Sequence, residues 1–94
     1  MDFSKVPIDE VEQFAKLFFT SKQIGFMIGV SANDIDDFVL EANNEYSELG
    51  SRIYAARLKS EASIRQKVVD SAEAGSSNAQ NQAEKYINNL NFED

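Results

Sequence analysis

The sequence predicts an all-α protein, and three observations carry that expectation. Pro and Gly are scarce, one and four in 94 residues, and no β-branched run reads as a strand. Apolar residues recur three and four apart along most of the chain, the period of a helix with one buried face. From Glu48 to Ala74 the pattern continues without a breaker. That length is about 39 Å at about 1.5 Å per residue, far beyond a strand.

The elements follow in order. Pro7 suits a first helical turn, where its missing N–H costs nothing, and Asp9 and Glu10 follow at the positive end of the dipole. Val11, Phe14, Ala15 and Phe18 draw one apolar stripe, predicting a first helix over 7–18. Thr20 to Gln23 has the form of a reciprocal capping box, and Ile24, Met27 and Ile28 give the second helix its apolar face. Gly29 ends it. Ser31 with Asp34 repeats the capping pattern, so a third helix is expected from there, burying Ile35, Phe38, Val39 and Ala42 and closing at Asn43-Asn44.

The fourth helix carries one stripe through Leu49, Ile53, Ala56, Ser60, Ile64, Val68 and Ala72, and a second through Tyr54, Leu58, Ala62 and Val69. Gly50 lies in its first turn, where a glycine is expected to cost least. Gly75 is the expected left-handed stop and Ser77 the next cap. Ala79, Ala83, Tyr86, Ile87 and Leu90 mark a short final helix, and 91–94 reads as a frayed end. The expected architecture is an N-terminal head over 1–46, then a long helix and a shorter antiparallel one forming a helical hairpin over 47–94.

Composition narrows the function. With neither cysteine nor histidine, the chain has no disulfide, thiolate metal site or imidazole base. Asp34, Asp36 and Asp37 lack the glycine and twelfth-position Glu of a calcium loop. No catalytic residue, cofactor or metal is expected: the protein reads as a non-enzyme. No apolar run, Phe26-Met27-Ile28 among them, is long enough for a membrane span, and no signal peptide is visible in Met1 to Lys5.

The net charge of −7 is unevenly spread. Residues 1–51 hold three lysines against ten acids, while Arg52, Arg57, Lys59, Arg65 and Lys67 face only Glu61 across 52–67. The pattern is an acidic head followed by a basic segment.

Ser21 to Glu41 fits a helix-turn-helix template. Gly25 falls at the small position, Gly29 at the turn, and Ile24, Ile28, Val30, Ile35 and Phe38 at the apolar positions. The exposed residues at the start of its second helix would then be Ser31, Ala32, Asn33, Asp36 and Asp37. Lys22, Ser31 and Asn33 are the head's candidate DNA contacts, Asn33 being able to pair with an adenine edge. The neighbouring carboxylates would repel phosphate, which favours a solvated or protein-docking face. Arg52, Arg57, Lys59, Arg65 and Lys67 are the second set of DNA candidates. They lie in two rows and are not gathered on one face.

The two-stripe helix exceeds what the head and a short partner helix can cover, so self-association is expected. Ile53, Ile64, Val68, Ala72, Ala83, Tyr86 and Ile87 are the candidate oligomerisation residues.

The order of a head (Phe19 to Ser31), the stretch Tyr54 to Ala62 and the joint Ala72 to Ala83 resembles the small terminase subunit of tailed bacteriophages, over roughly residues 8–90. The resemblance implies a ring assembled through long central helices that binds viral double-stranded DNA. Such a ring presents the DNA to the large, ATP-hydrolysing terminase subunit, in the cytoplasm of the infected bacterial host. It also gives Ser31, Asn33, Asp36 and Asp37 a DNA-facing role, at positions that are more basic in the family. A separate C-terminal partner-binding region is expected to be minimal. The alternative is a small acidic helix-turn-helix regulator that docks on a host or phage protein instead of on DNA.

Overall fold

A computed structural model describes the backbone of residues 1–93 and the side chains of residues 1–89. It is all-helical, with no strand among the described residues. A 3-10 turn, Phe3–Lys5, precedes α1 (Ile8–Lys16), α2 (Ser21–Met27), α3 (Ile35–Ala42), α4 (Glu48–Glu73) and α5 (Ser77–Glu93). None of these helices is long and apolar enough to cross a membrane. The chain divides into two compact units, Met1–Ser60 and Glu61–Asp94. The first unit therefore takes in the start of α4, where the sequence had placed a boundary at 46/47.

One core organises the first unit. Val11 and Ala15 of α1, Ile24 of α2, Ile35, Phe38 and Ala42 of α3, and Leu49, Ile53 and Ala56 of α4 are buried together. Leu49, Ile53 and Ala56 open the first stripe read along α4, and the head consumes them. Ile53 is only 1% exposed. That corrects its assignment to self-association, since a side chain sealed in one protomer's core cannot meet a second copy.

Several predicted boundaries shift for local reasons. α1 ends at Lys16 because Phe18 turns left-handed, with φ +64°. The Phe18 amide donates to Ala15 O and the Phe19 amide to Phe14 O, closing a left-handed C-terminal cap. The rings of Phe14 and Phe19 then meet edge to face at 6.1 Å, the apolar contact that accompanies such a cap. Phe18, expected on the buried stripe, is instead 49% exposed.

The start of α2 matches expectation: Thr20 accepts from the Gln23 amide while Gln23 accepts from the Thr20 amide. The start of α3 does not. The Ser31 hydroxyl donates to the Asp34 carboxylate at 3.4 Å instead of capping a helix, and the Asp34 amide donates to Ser31 O. Residues 32–34 thus form a turn, and the helix begins at Ile35.

The join between α3 and α4 is tight. The Ser47 hydroxyl accepts from the Gly50 amide at 2.9 Å and lies 2.8 Å from the carbonyls of both Glu41 and Asn44, either of which it can donate to. A Cβ on Gly50 would be driven onto the Asn44 carbonyl. The expectation that Gly50 is a low-cost first-turn glycine is corrected: the backbones pass too close there for any side chain.

In the second unit, Gly75 is left-handed (φ +99°) as expected. The Gly75 amide donates to Ala72 O and the Ser76 amide to Ser71 O. The cap of α5 is Ser76, one residue before the expected Ser77, with its hydroxyl accepting from the Ala79 amide. α5 is also longer than expected, its helical backbone continuing through 91–93 where a frayed end is expected. The Leu90 side chain and Asp94 lie outside the described residues.

Candidate functional site

α2 and α3 cross closely because Gly25 is there. A Cβ at that position would lie 2.5 Å from Ile35 Cδ1 and 2.8 Å from Phe38 Cδ1. The apolar set predicted for this segment is partly or fully buried: Ile24, Ile35 and Phe38 in the core, Ile28 and Val30 packed against it. Residues 28–34 separate the two helices, a longer connection than the three or four residues of the motif.

That longer connection changes the candidate contacts. Ser31 and Asn33 are exposed but stand in the turn ahead of α3, not on its first turn. The first turn carries Asp36 and Asp37. These carboxylates have a local reason to be there, since Asp34 makes no side-chain cap and negative charge favours the helix N-terminus. On α3, Asp36 and Leu40 point away from Phe38, and Leu40 is 78% exposed. The presented face is acidic with an apolar centre, chemistry that does not suit phosphate.

The basic candidates scatter. Three arginines bond to the protein itself. Arg52 Nη1 pairs with Glu12 Oε1 at 3.1 Å, and Arg57 Nη2 donates to Phe19 O at 2.9 Å. Arg65 Nη2 pairs with Glu61 Oε1 at 2.7 Å, while its guanidinium lies 4.4 Å from the centre of the Tyr86 ring. Arg65 Nε is shielded from solvent without an acceptor. Lys22, Lys59 and Lys67 are exposed and form no ion pair among the described residues.

The fold brings two of the candidates together. Lys22 and Arg57 line one groove of about 400 Å3 with Phe18, Phe19, Val39 and Asn43. No local pattern signals this pairing, because 35 positions separate the two cations. The unit boundary also divides the basic segment. Arg52, Arg57 and Lys59 fall in the first unit, and Arg65 and Lys67 in the second. The first unit then carries six bases and ten acids, the second three and six. Both are acidic, so the predicted split into acidic head and basic segment does not follow the compact units.

The second unit holds most of the predicted assembly residues. Arg65, Val68 and Ala72 on α4 and Ala79, Ala83 and Tyr86 on α5 are half-buried. Gln80 Nε2 donates to Ala72 O at 3.0 Å and, with the Arg65–Tyr86 stack, defines antiparallel pairing. Ile64, Val69 and Ile87 remain exposed. No described side chain of this unit is buried.

No protein-family model, curated protein or solved structure matches this chain.

Proposed function

We propose that this chain is a non-catalytic packaging adaptor of the small-terminase type. It assembles into a ring through its helical hairpin, holds viral double-stranded DNA and presents it to the large terminase ATPase, in the cytoplasm of the infected host. The observation that carries this reading is the hairpin without an interior. From Glu61 on, with Ile64, Val69 and Ile87 exposed and no buried side chain among the described residues, the second unit lacks the apolar burial that holds a unit of that size together. Further copies supply it. Ile64, Val68, Ala72, Ala83, Tyr86 and Ile87 carry the assembly, with Ile53 withdrawn into the head.

DNA retention then rests on repetition. A protomer offers Lys59 and Lys67, and a closed ring multiplies each so that weak phosphate contacts add through avidity. Light scattering on the native protein tests the assembly: a particle many times the 10.5 kDa protomer is expected, and a monomer at all concentrations overturns the reading. In a filter-retention assay at low salt, Lys59→Glu with Lys67→Glu is expected to weaken DNA retention at least tenfold. Unchanged retention removes the lysine rows from the account.

The carboxylates and exposed leucine of α3 favour a second reading, an acidic regulator that docks on a protein. A stable monomer or dimer without DNA affinity supports it over the ring.

A further inference from the structure

The first unit carries two surfaces that complement each other, a groove and the exposed ridge of α3 beside it. One is the groove that the α1–α2 turn and the start of α2 form with Val39 and Asn43 of α3 and Arg57 of α4. Its apolar part is Phe18, Phe19 and Val39, and its cations are Lys22 and Arg57. The other is the ridge of α3, an exposed Leu40 set among Asp36 and Asp37. The groove is apolar with positive charge, the ridge apolar with negative charge. The groove wall itself has an unusual build. Phe18 holds a left-handed backbone that a bulky side chain rarely adopts, and the ring it displays is half exposed.

We infer that the α3 ridge of one protomer seats in the Lys22–Arg57 groove of the next, Leu40 against Phe18 and the Asp36 and Asp37 carboxylates against the two cations. The occupant is a second copy because this chain supplies the matching chemistry: charge of opposite sign around an apolar anchor of the right kind. The groove and the ridge are different patches, so the contact is head-to-tail, the class of interface that closes into rings. The inference rests on the ring reading and adds to it an interface between heads. It also accounts for the acids of α3, which serve protein contact where a DNA reader would carry bases. Arg57 is held for this role by its bond to Phe19 O.

Zero-length carbodiimide coupling tests the contact in the full-length protein. Equal parts of unlabelled and nitrogen-15-labelled chain are mixed, coupled at low salt and digested for mass spectrometry. The expected product is an amide between Lys22 and Asp36 or Asp37 whose two peptides carry different labels, formed at least fivefold less at 0.5 M salt. The charge swap Lys22→Glu with Asp37→Lys should restore a mixed-label link between positions 22 and 37, which Lys22→Glu alone abolishes. These residues are exposed, so the substitutions leave the core intact. A ring of unchanged mass that yields no such link, or only same-label links, overturns the head contact and leaves the ring standing. A protein that scatters as a monomer overturns both.

Discussion

Phe18 shows how one residue can set an element's end against its own preference. A left-handed backbone costs an L-residue about 1–2 kcal/mol, and helices usually place Gly or Asn there. The chain keeps phenylalanine at φ +64° because the cap bonds and the Phe14–Phe19 contact hold it. Phe18→Gly should therefore raise the unfolding free energy by roughly 1 kcal/mol, read as a higher denaturant midpoint. Gly50 is the opposite case. Gly50→Ala forces the α3–α4 join apart and should cost about 3 kcal/mol by the same measurement. Asp2 supplies a pH dependence. The hydroxyl of Ser4, 2.6 Å away, and then its amide donate to this carboxylate and hold its pKa below the ordinary value. A lowered folded pKa means the contribution is complete above the ordinary carboxylate range and disappears as pH falls through the lowered value. The Ser4 amide resonance should report that loss, and Asp2→Asn should flatten the profile.

At the scale of elements, helices were readable where local signals agreed. The Thr20–Gln23 box, the Gly75 stop and the full run of α4 are all local chemistry, and all three formed as the sequence implied. Misreadings arose where one local pattern had two outcomes. Ser31 and Asp34 can cap a helix or bond to each other, and nothing in their spacing distinguishes these. Ile53 and Ile64 lie on one stripe, yet one is sealed in the head and the other exposed, because burial depends on what packs across from each. The candidate site was less legible still. Charge counting found the arginines but not their partners Glu12, Phe19 O and Tyr86, which the fold brings from elsewhere in the chain. The hairpin offers a direct check. A double-mutant cycle of Arg65→Ala and Tyr86→Ala, followed by thermal unfolding, should give a coupling of about 0.5–1 kcal/mol, as expected for a partly exposed cation–π pair.

Across the whole molecule, net acidity and incomplete burial act together. Each compact unit carries more acids than bases, a general repulsion that the ion pairs of the proposed head contact oppose and that added salt screens together with them. From Glu61 on, no described side chain is buried, and in the proposed ring the order of this unit would be a collective property. Thinning the sample should therefore resemble heating it: circular dichroism at 222 nm is expected to lose intensity on serial dilution through the dissociation range, and to regain it on reconcentration.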